Sequence, residues 1–196
     1  MANKIKYGLS RVYYAKATID TSTGTATYAT PVAIPGAVSL SMDPSGEQNK
    51  FYADNIAYAT FAANAGYEGS LEVAVIPDSF RKDILGEVVD ADSDIQLEKA
   101  AATAQPFALL FQFEGDDTAT RHVLYNVTAK RPNIGSKTTE ESVEVQTETL
   151  DLACGAIFNT KVDDNIVKGK ISDKTKQAYT DWFNSVQQPS SGGATT

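Results

Sequence analysis

Apolar and polar residues alternate with a period of two along most of the chain, the spacing of strands with one face on a core and the other in water. Tyr7–Ile19 predicts a first strand, Ser22-Thr23-Gly24 a turn, and residues 28–32 a return strand that closes a hairpin. After Pro35-Gly36, the side chains of Val38, Leu40 and Met42 fall on one face and Ser39 and Ser41 on the other. Asp43-Pro44-Ser45-Gly46 breaks that alternation, and the excursion over residues 43–65 has no clear period, so a single strand is expected within it at residues 51–61. Alternation returns over residues 67–76, with Leu71, Val73 and Val75 on one face and Glu72 and Ala74 on the other, and stops at Pro77.

Asp78 then reads as the cap of a short helix, because Phe80, Ile84 and Val88 recur every fourth residue with Leu85 beside them and Gly86 near the stop. Residues 90–104 are polar and alanine-rich, a loop with a short strand at residues 95–97. Residues 107–113 form an almost continuously apolar strand, Gly115-Asp116-Asp117 a turn and residues 121–130 the returning strand. A loop at residues 131–137 leads into a long strand over residues 140–152. Its one face carries Glu140, Ser142, Glu144, Gln146 and Glu148, and the opposite face Val143, Val145 and Thr147. Residues 156–168 hold a last strand, broken near Asp163-Asp164-Asn165. A C-terminal helix capped by Ser172 or Asp173 follows, with Tyr179, Trp182, Phe183 and Val186 on one stripe. The expected class is mainly β, a sandwich or barrel with a flanking short α-helix and a C-terminal α-helix. The expected organisation is one domain over residues 1–188 and a flexible tail at 189–196, too polar to order itself.

Composition agrees: 20 threonines, 14 valines and 17 tyrosines and phenylalanines favour strands. With 42% hydrophobic residues in 196 the chain can bury a proper core, which excludes global disorder. The 25 acidic residues outweigh 17 basic ones for a net charge of -8, and no basic run occurs, so a phosphate-binding footprint is not expected. No apolar run approaches a membrane span and the first residues have no signal-peptide core, so synthesis in a cytoplasm and no membrane partner are expected.

Candidate chemistry is thin. Asp90, Asp92 and Asp94 have the opening spacing of a calcium loop, but Ile95 stands where such a loop needs glycine and Ala101 where it needs glutamate. His122, the single histidine, has no nucleophile elbow or cysteine-protease context around it, and Cys154, the single cysteine, sits in an apolar run as a small buried hydrophobe would. No phosphate-cradling glycine loop is present. Glu144 and Glu148, four residues apart on a strand, would stand roughly 13 Å apart, too far for a glycosidase pair. The expectation is a protein that is not an enzyme, with no cofactor and no resident metal.

Several stretches in order resemble the major tail protein, the tail-tube subunit, of long non-contractile-tailed phages of Gram-positive bacteria. They include Tyr7-Gly8-Leu9-Ser10-Arg11-Val12-Tyr13-Tyr14, Pro35-Gly36-Ala37-Val38-Ser39-Leu40, Phe51-Tyr52-Ala53-Asp54-Asn55 and Gly66-Tyr67-Glu68-Gly69-Ser70-Leu71-Glu72-Val73. Ile76-Pro77-Asp78-Ser79-Phe80, Pro106-Phe107-Ala108-Leu109-Leu110-Phe111, Arg131-Pro132 and Ser142-Val143-Glu144-Val145-Gln146-Thr147-Glu148-Thr149-Leu150 continue it; residues 90–104 match least well. The resemblance implies a tail-tube-type β-sandwich or barrel, self-assembly into hexameric rings stacked as a tube, and location in the virion tail. It also implies partnership with tape measure, tail-tip and terminator proteins, and passage of the genome without specific DNA binding. On that reading an acidic strand face lines the bore, either Glu140, Glu144 and Glu148 or else Glu68 and Glu72. The excursion carrying Asp43, Glu47, Phe51, Tyr52 and Asp54 would then reach the neighbouring ring. The competing reading is a monomeric β-sandwich module that binds a glycan or host-surface ligand on exposed aromatics such as Tyr52, Tyr58 and Trp182.

Overall fold

The computed structural model describes residues 7–46, 48–62, 64–114, 118–138 and 145–189. In chain order the strands are β1 Tyr7–Ile19, β2 Ala26–Tyr28, β3 Val32–Ala33, β4 Ala37–Ser45, β5 Gln48–Ala53, β6 Ile56–Ala62 and β7 Gly66–Val73. A short helix α1, Asp78–Phe80, runs on into a π-helical turn at Arg81–Leu85, and β8 Val88–Val89 and β9 Gln96–Leu97 follow. The remainder is β10 Phe107–Glu114, β11 Arg121–Ala129, β12 Glu148–Gly155, β13 Ile157–Asn159, β14 Asp164–Ile166, β15 Lys168–Ile171 and helix α2, Gln177–Thr180. The protein is mainly β.

Nine strands join one antiparallel sheet along the path β2-β1-β10-β11-β12-β7-β4, with β3 added to β1 and β15 to β11. β1 and β4, far apart on that path, come into contact, so the sheet curls towards a barrel. Alternation divides the buried side chains between its two faces. Val12 and Tyr14 of β1, Leu71 and Val73 of β7, Leu109 of β10 and Leu150 and Leu152 of β12 form the larger core, covered by Ile76 and by Phe80, Ile84 and Leu85 of the helical turn that follows it. Ala15, Ala108, Leu110, Val123 and Tyr125 form a second core on the opposite face, covered by Ile157, Trp182 and Phe183. A bulge in the β10–β11 ladder, where residues 107 to 109 pair with 127 to 124, shifts β11 from one phase to the other, so Tyr125 serves the second core and Val127 the first.

The structure corrects several expected elements. The strand expected at 51–61 is a hairpin: Ala53 pairs with Ile56 across Asp54 and Asn55, whose φ angles of 53° and 64° are those of a two-residue turn with both central residues left-handed. Asp43 and Pro44 do not end β4, which runs to Ser45; β4 is the edge of the sheet, where proline's missing N–H breaks no ladder. A bulge between Ala37 and Ser39 turns Val38 outward, while Ala37, Leu40 and Met42 pack on the larger core. β7 ends at Val73, leaving Val75 exposed and Ile76 buried.

The expected return strand at 28–32 is divided between β2 and β3, which pair with successive stretches of β1. Pro77 rather than Asp78 caps α1, Gly86 in the left-handed region closes the π turn, and Val88 belongs to β8. The short strand expected at 95–97 exists and pairs with β8. β12 begins only at Glu148; residues 145–147 are not strand, and residues 140–144 lie outside the described residues. The strand expected at 156–168 is the β13–β14 hairpin, with β15 added to β11. The C-terminal helix is one turn, capped at Lys176; Asp173 instead accepts from the backbone N–H and hydroxyl of Thr175. Residues 115–117 and 190–196, the expected turn and most of the expected tail, lie outside the described residues.

Candidate functional site

Two surfaces stand out. The first is the outer side of β4, β7 and β12. The ladder places Asp43 opposite Glu68, Ser41 opposite Ser70 and Ser39 opposite Glu72 across β4 and β7. Across β7 and β12 it places Glu68 opposite Ala153, Ser70 opposite Asp151 and Glu72 opposite Thr149. The even-numbered partners Leu150, Leu152 and Cys154 point the other way, into the core. The result is a face of carboxylates and hydroxyls, Asp43, Glu68, Glu72 and Asp151 among serines and threonines, with Lys130 beside Asp151 and Glu68.

Glu72 is the hub of this face. Its Oε1 accepts from Thr147 Oγ1 at 2.6 Å and its Oε2 from Ser39 Oγ at 2.9 Å, so one carboxylate ties edge strand β4 to the segment leading into β12. These bonds, Thr147 first and Ser39 second, hold its pKa below the ordinary glutamate value. Because the folded value is depressed, the contact stabilises above the unfolded pKa and is lost as pH falls through the folded one. Thr147→Val is expected to raise the Glu72 pKa towards that of a free glutamate, and Ser39→Ala to do so less, read from the carboxyl carbon shift in an NMR titration. An unchanged titration in both variants would show that the hydroxyls are not its partners.

Glu148, expected beside such carboxylates, is in phase with Leu150 and Leu152 instead. Its Oε2 accepts from the Ile76 N–H at 2.6 Å and its Oε1 from Arg81 at 2.9 Å, and Arg81 also lies 3.6 Å from Glu87. It pins the helical turn to the strand start. Glu140 and Glu144 lie outside the described residues; of the carboxylates expected to line a bore, the structure brings Glu68 and Glu72 onto this face. Asp43, expected in the excursion, lies in β4 opposite Glu68 and belongs to this face. Asp151 was missed because a strand phased on Glu148 turns it inward; its flanking Leu150 and Leu152 were the signal that could have found it.

The second surface is the β5–β6 hairpin, which leaves the sheet between Ser45 and Gly66. Phe51, Tyr52, Ile56 and Tyr58 are 58%, 64%, 61% and 70% exposed on it, and Asp54 forms its turn. Glu47 lies outside the described residues. At the opposite end of the same strands, where Val73 meets Ala37 and Glu148, Val38, Val75 and Val145 are also exposed. The third aromatic considered as a ligand platform, Trp182, is buried, its Nε1 donating to His122 O at 3.2 Å.

The remaining candidates are accounted for by packing. His122 stacks on Phe111 at 5.2 Å, and burial pushes the Cys154 thiol up to about 11. Asp90 accepts from the backbone N–H and hydroxyl of Ser93 in its own turn. Among the described residues no group of three or more His, Cys, Asp or Glu could hold a metal ion, and no helix is long and apolar enough to cross a membrane.

No protein-family profile matches the chain, and no curated protein does. Among solved structures, a chain from the cryo-EM structure of the anti-feeding prophage (AFP) baseplate, 6-fold symmetrised, is similar with a TM-score of 0.44 and 14% identity. The alignment covers 86% of this chain and 97% of that one.

Proposed function

We propose that this chain is a structural subunit that assembles with itself into hexameric rings stacked as a phage tail tube, the conduit through which the genome leaves the virion. The observation that carries the reading is the β5–β6 hairpin, on which Phe51, Tyr52, Ile56 and Tyr58 are each more than half exposed among the described residues. Several large apolar side chains exposed on one hairpin are what a protein interface uses. The exposed valines at the other end of β4, β7 and β12 supply a different surface for it to meet. Contact between unlike ends of one chain is heterologous, and a heterologous contact whose rotation does not close on itself propagates, as a stack of rings requires.

The carboxylate and hydroxyl face suits a bore. Lysines and arginines facing DNA would release phosphate counterions and hold the polymer, whereas on this face the carboxylates of Asp43, Glu68, Glu72 and Asp151 outweigh the one charge of Lys130 and repel it. The tape measure, tail-tip and terminator partners implied by the sequence resemblance belong to this proposal, as do location in the virion tail and organisation as one domain over residues 1–188.

The test is electron microscopy and sedimentation of the purified chain at rising concentration, beside the variant Phe51→Asp/Tyr58→Asp. The wild type is expected to form rings or hollow tubes. The variant should lose stacking while its far-UV ellipticity and urea midpoint stay unchanged, because the altered side chains are exposed. Tubes that survive both substitutions would remove the hairpin from the interface. A wild type that remains monomeric at every concentration and binds glycans would replace the proposal with the ligand-module reading.

A further inference from the structure

Charge is distributed unevenly between the two ends of the sheet. β15 lies at the end from which the β5–β6 hairpin leaves: among the described residues it pairs with β11 alone, at Arg121–Leu124, and its Lys168 reaches Tyr67, the neighbour of Gly66. Gly169 and Ile171 turn to the second core, so Lys168 and Lys170 share the other face of the strand, both exposed. Lys168 donates to the Tyr67 hydroxyl and lies 4.6 Å from the centroid of its ring, which fixes where that charge stands. Residues 166–172 carry no acid, and Asp173 beyond them is turned to Thr175.

The β8–β9 hairpin lies at the other end. Gln96 donates to Glu87 Oε2 at 2.6 Å, and Glu87 and Arg81 connect it to Glu148, where β12 begins. Its turn carries Asp90, Asp92 and Asp94, all exposed, and residues 88–97 carry no base. Arg131, which bonds to the carbonyls of residues just beyond, is paired with Glu98 at 2.7 Å. Ile95 and Leu97 are exposed beside the aspartates, and among the described residues β9 pairs with β8 alone. Each end therefore offers a short strand with an unpaired edge, basic at one end and acidic at the other. Like charges oppose the pairing of either edge with the same edge of a second copy, whereas the unlike edges attract.

We infer that β15 of one copy receives the β8–β9 hairpin of the next, with Lys168 and Lys170 facing Asp90, Asp92 and Asp94, and that this charge pairing fixes the sense in which copies stack. The inference rests on the stacking proposed above and adds to it a reason for polarity. Apolar contact alone has no direction, so exposed aromatics and valines would also accept a copy turned the wrong way round. Repulsion between two lysine edges, or between two aspartate turns, removes those alternatives and leaves the head-to-tail contact.

Tube growth by the full chain, followed by light scattering and electron microscopy, tests this without any substitution. Raising NaCl from about 0.05 M to about 0.5 M should slow growth at least about fivefold, because attraction between exposed charges is screened. The net charge of -8, acting as a whole, gives the opposite sign, since salt would then relieve repulsion and speed growth. Lys170→Glu and Asp92→Lys should each slow growth at low salt by at least about fivefold, and the two combined in one chain should restore it. Both side chains are exposed, so urea midpoints should not move. Growth that salt does not slow, or a combined variant as slow as the single ones, overturns the charge pairing while leaving the tube in place. A wild type that forms no tubes at any salt concentration overturns both.

Discussion

Gly66→Ala is expected to destabilise the protein by about 3–5 kcal/mol, among the largest effects a single added methyl can have. Two causes coincide at this position. Its φ is 107°, a region that L side chains rarely adopt, and a Cβ built there would lie 1.9 Å from the Cys154 carbonyl oxygen of β12. That oxygen belongs to a strand paired on both sides, so it cannot withdraw without disturbing the ladders to β7 and β11. Gly69 has a related contact, with Ser41 O at 1.9 Å, but there the neighbour is edge strand β4, which has room to move outward. The order of loss should be Gly66 before Gly69. Gly135, with nothing within 4 Å of its added Cβ, should cost no more than about 0.5 kcal/mol. Urea midpoints at constant m-value measure all three. A Gly66→Ala protein as stable as Gly135→Ala would mean that β7 and β12 are not paired in this register.

Phe80→Ala should cost about 3–5 kcal/mol, by loss of transfer free energy and by the cavity left behind. Phe80 is fully buried, edge-on to Tyr14 at 5.1 Å and to Phe107 at 5.3 Å, so it joins the helical turn to β1 and β10. Ile84 and Leu85 are buried beside it, Glu148 and Arg81 hold one side of the turn, and the Tyr14 hydroxyl donates to Asp83 Oδ2 at 2.9 Å on the other. Phe80→Leu, which refills most of the volume, should recover more than half of the loss. Equal loss in both variants would mean that the site depends on ring contacts rather than on filled volume.

Where a strand is buried on one or both faces along its length, the run of apolar residues alone located the element. β1, β10 and β11 lie within a residue of their expected limits at each end, and the position of the helical turn followed from Phe80, Ile84 and Leu85. The expected mainly β class stood on the same signal. Long alternating or continuously apolar runs have few alternative ways to bury themselves, which is why they are legible one at a time.

The excursion was less legible because both faces of β5 and β6 mix aromatic and small residues, so no period separates core from solvent; the Asp54-Asn55 turn was the available clue. Over residues 145–152 the expected strand differs in extent and phase from β12, because Glu148 continues the spacing of Gln146 in the sequence. Only Arg81 and the Ile76 amide, 67 and 72 residues away, explain a carboxylate on the core side of the strand. The stripe of Tyr179, Trp182 and Phe183 identified a buried surface correctly but not its form, since Arg121 and the carbonyls of Ala119 and His122 hold those rings without a long helix.

Local spacing decides which side chains a segment must bury. Which carboxylates share a face, which strand becomes an edge that tolerates Pro44, and which aromatics stay uncovered depend on partners distant in sequence. Those partners exist only once the sheet has closed its register.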